Sequence, residues 1–120
     1  MGYMLHHAIL ITSWDDEKLA KAREAVVLLG AQYGMEGLVS PVCEAHMNRY
    51  ASFAIFPDGS KEGWEASDEG DSFRGAVVAY LDTERYEDGS SILHWVEVAY
   101  AGDEPDETRI VRHGGTLDAS

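Results

Sequence analysis

Residues Ala51–Leu81 read ASFAIFPDGSKEGWEASDEGDSFRGAVVAYL. Ala51 to Phe56 is apolar in both alternating sets, as a strand covered on both faces requires. Pro57-Asp58-Gly59 ends it with turn chemistry. Six acids follow against one base: Asp58, Glu62, Glu65, Asp68, Glu69 and Asp71 against Lys61. Phe73, Val77, Tyr80 and Leu81 then recur at helical spacing, so a helix capped by Ser67, Asp68 or Asp71 and ending near Thr83 is expected. Gly75 lowers its propensity and is expected to allow close packing on a sheet. A strand and a helix therefore hold an acidic loop between them, with Phe73 and Val77 inward and the acids outward.

The flanking segments supply the remaining elements. His6–Trp14 reads as a central strand. Ser13 is the expected cap of a helix that opens with Asp15, Asp16 and Glu17, where carboxylates favour the helix dipole, and buries Leu19, Ala22, Val26 and Leu29. Gly30 or Gly34 is expected to end it, and Trp14 to act as a hydrophobic staple. Leu38–Glu44 reads as a second strand, at an edge because of Pro41, with a short turn at His46–Asn48 into a third at Arg49–Phe56. Ile92–Tyr100 reads as a fourth, with His94, Val96, Val98 and Tyr100 on one face and Leu93, Trp95, Glu97 and Ala99 on the other. Thr108–Arg112 is short enough for a returning edge strand. The order is β-α-β-β-α-β with an extra C-terminal edge strand, a ferredoxin-like α+β fold. Both helices then cover one face of an antiparallel sheet, and the other face is open unless a partner, such as a second copy, covers it. One domain over residues 1–113 and a flexible tail over 114–120 are expected.

Composition narrows the function classes. The chain has 120 residues, 45% hydrophobic, and a net charge of −13, which repels nucleic-acid backbones and anionic membranes. The charge is concentrated. Residues 58–107 hold 15 acids and three bases, net −12, whereas the other 70 residues hold seven acids and six bases. Clustering of that kind points to a directed face, while solvated loops and helix faces are the plainer explanation. No run is long and apolar enough to span a bilayer, no signal-peptide pattern is present, and Cys43 is the lone cysteine. A cytoplasmic setting is expected.

Signatures of chemistry are sparse, and no cofactor is expected. The glycines around the acidic loop lack a phosphate-binding arrangement, and neither a nucleophile elbow nor a zincin motif occurs. Cys43-x-x-His46 has zinc-ligand types but lacks a second pair. Asp68, Glu69 and Asp71 lack the spacing of a calcium loop and read better as acids at a helix start. Neighbouring carboxylates at Glu62, Glu65 and Asp68 read as solvated rather than catalytic. An enzyme is the less favoured reading. In that version His94 and either His6 or His7 line a cleft on the open sheet face, since adjacent histidines point to opposite faces. The favoured version is a protein-binding role, with Asp58, Glu62, Glu65, Asp68, Glu69 and Asp71 steering a basic surface and Trp64 as its apolar anchor, with Phe73 as a further apolar candidate.

Pro57-Asp58-Gly59-Ser60-Lys61-Glu62-Gly63-Trp64 and Ser67-Asp68-Glu69-Gly70-Asp71, together with Ser13-Trp14-Asp15-Asp16 and Trp95-Val96-Glu97-Val98, resemble small acidic uncharacterised proteins carried by phages and prophages. The resemblance implies an accessory protein that binds a host protein. It assigns no role to any residue. The sharpest version of the acidic-face reading is an inhibitor that mimics DNA.

Overall fold

A computed structural model describes residues 3–115. Positions 116–120 of the expected flexible tail lie outside these. Five strands form one antiparallel sheet in the order β2-β3-β1-β4-β5: β1 His6–Ser13, β2 Cys43–Glu44, β3 Ala51–Ile55, β4 His94–Tyr100 and β5 Arg109–Gly114. Helix α1 spans Asp16–Tyr33 and α2 spans Glu65–Thr83. The fold is thus α+β, a five-stranded antiparallel sheet with two helices. The pairing Ile9↔Ile55 on one side of β1 and Ile9↔Glu97 on the other makes β1 the central strand.

Alternation along the strands decides which side the helices cover. Ile9, Ile11, Ala51, Phe53, Ile55 and Trp95 are buried, and each lies on the same face as its register partner. Leu19, Ala22 and Val26 of α1 and Phe73, Val77 and Leu81 of α2 complete this core. Complete burial of side chains of this size contributes about 1.5–3 kcal/mol each, so this seam dominates the stability of the fold.

Helix boundaries differ from expectation by a few residues, for local reasons. Asp15, not Ser13, caps α1, accepting from the Lys18 amide at 3.1 Å. Ser13 is fully buried instead; its hydroxyl donates to the Ile92 carbonyl at 2.7 Å and accepts from the Asp15 amide at 3.0 Å. Gly34 ends α1 with φ of 70°, a left-handed conformation that glycine adopts without strain. Trp14 stacks on Tyr86, with ring centroids 6.0 Å apart, and Tyr86 donates to Asp15 at 2.8 Å. That pins the loop before β4 to the start of α1. Helix α2 begins at Glu65 behind Trp64 and has no side-chain cap; Glu65 and Asp68 face the positive end of its dipole instead.

The second strand is much shorter than Leu38–Glu44. A 3₁₀ turn occupies Glu36–Leu38, Val39 makes an isolated antiparallel bridge to Ile55, and beyond Pro41 Cys43 and Glu44 form ladder pairs with Ser52 and Ala51. Pro41 lacks the amide that a continuous ladder needs. The turn that follows carries Asn48 and Arg49 at φ of 64° and 60°, so the left-handed turn extends one residue past His46–Asn48. At the other edge, β5 runs on to Gly114, and the register slips between Glu97 and Val98.

Candidate functional site

Seven residues were expected to form one partner-binding face, and the structure divides them. Asp58 and Glu62 turn inward. The Asp58 carboxylate accepts from the Ser60 amide at 2.8 Å and the Ser60 hydroxyl at 2.6 Å, and its second oxygen lies 3.3 Å from Arg74 Nη1. Gly70 makes this possible. A Cβ there would stand 2.0 Å from Asp58 Oδ2, so only a bare backbone lets the loop cross α2 at this height. Gly75, expected to be the close-packing glycine, has nothing within 4 Å of a built Cβ. Glu62 accepts from the Ser67 hydroxyl at 2.9 Å and contacts His7 Nε2 at 3.2 Å.

The outward set is Trp64, Glu65, Asp68 and Glu69, with Asp71 at its margin. Trp64 is 49% exposed, and Lys61 Nζ sits 5.7 Å above its ring. Glu65, Asp68 and Glu69 are exposed and make no salt bridge among the described residues. Asp71 reaches back one turn to Arg74 Nη2 at 2.6 Å. The first two turns of α2 thus present an indole beside three free carboxylates, on a loop that Asp58 and Glu62 hold in place. Phe73, the further apolar candidate, is buried in the core.

Beneath that surface lies an ionic cluster joining α2 to β1, β4 and β5. Glu97 is 2% exposed. Its Oε1 accepts from Arg112 Nε at 2.7 Å and Nη2 at 2.6 Å. Its Oε2 lies 3.7 Å from His7 Nδ1 and 3.8 Å from Arg74 Nε, separations at which charge rather than hydrogen-bond geometry carries the attraction. Neither of those two nitrogens has a hydrogen-bond partner. Arg74 is buried too, held by Asp58 and Asp71. Sequence reasoning placed Glu97 on the face with Trp95 and Ala99 but did not draw the consequence. A lone carboxylate on an apolar strand face demands buried cations, and that was the available signal.

The cluster shifts its own titrations. The Glu97 and Glu62 carboxylates beside His7 raise its pKa above the ordinary histidine value, outweighing burial and the nearby Arg74 charge. For Glu97, burial works upward, but His7, Arg112 and Arg74 outweigh it and lower the pKa. Asp58 is lowered likewise, with Ser60 and Arg74 overcoming burial. The linkage has opposite signs at the two ends. Stability from His7 is complete below its unfolded value near 6.5 and is lost as pH rises through the higher folded value. Stability from Glu97 and Asp58 is complete above the ordinary carboxylate range and is lost as pH falls through their lowered values. Urea unfolding from pH 3 to 9 is therefore expected to give maximal stability between these limits, on about the pH 5–6 side of neutrality. His7→Gln should flatten the alkaline limb and, because His7 helps to lower Glu97, also weaken the acid limb; an unchanged alkaline limb would remove His7 from the cluster's energetics.

The histidines do not converge. His7 faces the helices, whereas His6 and His94 share the open face but pair with Tyr100 and Thr12 at opposite ends of β1. Six residues of strand separate those ends, about 20 Å. Two open hollows meet at His94: one of about 200 Å³ against Leu10, Thr12, Trp95, Val96 and Gly114, and one of about 560 Å³ against Trp14, Tyr50, Tyr86 and Ser91. Cys43 is exposed on the short β2. Among the described residues, no group of three His, Cys, Asp or Glu side chains is placed to hold a metal ion, and no helix is long and apolar enough to cross a membrane.

No family model matches the chain, and comparison with curated proteins finds no match. Two solved structures similar to it are monomeric crystal structures of the guanylyl cyclase domain of the RhoGC fusion protein from the aquatic fungus Blastocladiella emersonii, one of them a double mutant. The double mutant aligns at 7% identity with a TM-score of 0.39, covering 82% of this chain and 60% of that one. The other aligns at 7% and 0.39, covering 93% and 72%. The chain thus spans 60% of the length of the first, and at these scores the likeness carries no argument about what this chain does.

Proposed function

We propose that the chain is a binding protein whose acidic α2 surface engages a basic surface on another protein. One observation carries this: Trp64 is half-exposed at the start of α2, and the carboxylates of Glu65, Asp68 and Glu69 around it are free. An exposed indole with Lys61 above its ring and free carboxylates on the next turns of α2 suits an interface in which one aromatic anchor stands beside steering charges. Asp58, Glu62 and Asp71 act mainly from behind, fixing the loop through His7, Ser67 and Arg74. The strand order supports the ferredoxin-like β-α-β-β-α-β arrangement with an added edge strand as the scaffold. An accessory or inhibitory role in the cytoplasm, including mimicry of DNA before a nucleic-acid-binding protein, fits the same surface and the resemblance to phage-borne proteins. The alternative, an enzyme or ligand-binding domain with a histidine-lined cleft, finds no convergent pair of histidines to support it.

The test is capture on immobilised protein from a lysate of the source organism, eluted by a salt gradient, with wild type and Trp64→Ala side by side. Partners held by wild type should leave at modest salt, because exposed charges beyond about 8–10 Å are screened there. Trp64→Ala should lose the same partners while keeping its melting temperature. Equal retention by both proteins would refute the anchor.

A further inference from the structure

We infer that the face of the sheet left uncovered among the described residues is a self-association surface, and that its occupant is a second copy of this chain. Ten side chains of β1, β3 and β4 point away from the helices, and none of them is Asp, Glu, Lys or Arg. Charged residues make up 26% of the chain, so two or three would fall on this face if placement were indifferent to it. The face is apolar where it is most accessible: Leu10 is 50% exposed, Tyr100 38%, and Ile110 of the adjoining β5 62%. Val96 and Val98 lie between them, and Ala54 flanks Leu10 on the other side.

The charge map selects the occupant. Two chains of net charge −13 repel each other. Only a surface without charge lets them approach while the acidic α2 surfaces stay apart, and docking this face on its own copy desolvates no ion. A basic protein would be drawn to α2 instead. A small ligand is poorly served by a hollow of about 200 Å³ that opens broadly to solvent. A two-fold dimer places the two sheets face to face, about 10 Å apart.

The area sets the strength. Four strands at about 4.8 Å spacing and seven residues at about 3.3 Å rise give a footprint of about 400 Å² per copy. Two copies bury on the order of 800–900 Å², below the roughly 1,000 Å² that a stable specific interface clears and in the range of weak, transient association. The dimer is accordingly weak, with a dissociation constant of about micromolar to tens of micromolar.

Sedimentation velocity of the full chain from about 1 to about 500 µM spans that range. Wild type should shift from monomer to dimer with concentration, and the dimer fraction should rise with salt as repulsion between the copies is screened. Leu10→Glu should remain monomeric at every concentration. Should Leu10→Glu lose its cooperative melt, Ile110→Ser, on an edge strand and without added charge, replaces it and should weaken dimerisation at least about threefold, the worth of part of one buried side chain. A monomer under all conditions, a dimer that weakens with salt, or dimerisation unaffected by these changes in a folded variant would each overturn the inference. Trp64→Ala should dimerise like wild type, so the two surfaces fail or stand independently.

Discussion

Arg74→Ala is expected to lower unfolding free energy by about 3–5 kcal/mol, the usual cost of removing one member of a buried ionic group. Arg74 faces three carboxylates at once: Asp58 at 3.3 Å, Asp71 at 2.6 Å and Glu97, which Arg112 holds more closely, at 3.8 Å. Without it, Asp58 and the 2%-exposed Glu97 stay buried with less compensation, and the loop crossing Gly70 loses its anchor. Urea unfolding followed by circular dichroism measures the loss. Arg74→Met keeps most of the apolar stem and should retain whatever part of the stability comes from packing rather than charge. Adding Glu97→Gln to Arg74→Ala should cost less than the two single losses combined, because the second change removes the charge that the first left uncompensated. A loss below about 1 kcal/mol for Arg74→Ala would mean that the cluster behaves like a surface ion pair.

Reversal of Glu65, Asp68 and Glu69 together to lysine is expected to slow association with a basic partner by about 100-fold, within the range known for charge steering. The change moves net charge from −13 to −7 and inverts the sign of the surface beside Trp64. The effect should fall on the association rate and shrink with added salt, while dissociation changes less. Surface plasmon resonance with the captured partner, at two salt concentrations, separates these rates. Stability should fall by only about 1–2 kcal/mol, since Glu65 and Asp68 also favour the α2 dipole. Asp58 and Glu62 are left alone, because their reversal would disrupt the Arg74 and His7 contacts and confuse binding with folding. Unchanged association kinetics in the triple variant would remove α2 from the interface.

Much of the architecture was readable from periodicity. The order of strands and helices, the buried stripe of α1 and the end of α2 at Thr83 all follow from spacing that local residues impose. What sequence could not supply was the division of the acids. Asp58 and Asp68 are both carboxylates in a polar run, yet one is bound to Arg74 and the other is free. Their difference is created by Gly70, which admits the loop, and by β4, which brings Glu97 near the same guanidinium. Arg74 itself sits beside Phe73 in a helix whose polar positions ordinarily face water, and only contacts about sixteen and more residues distant bury it. The shortness of β2 was half legible: Pro41 marked an edge, but the 3₁₀ turn at Glu36–Leu38 was not visible in composition.

That short β2 has a bearing on how copies of this protein can meet. An open sheet has two rims of unpaired backbone, each a template for polymerisation by strand addition. One rim here is broken by Pro41 into the two-residue β2, Cys43–Glu44, and an isolated bridge at Val39. The other is bent by the irregularity between Glu97 and Val98 and carries Arg109, Arg112 and His113. Growth in width is disfavoured at both ends.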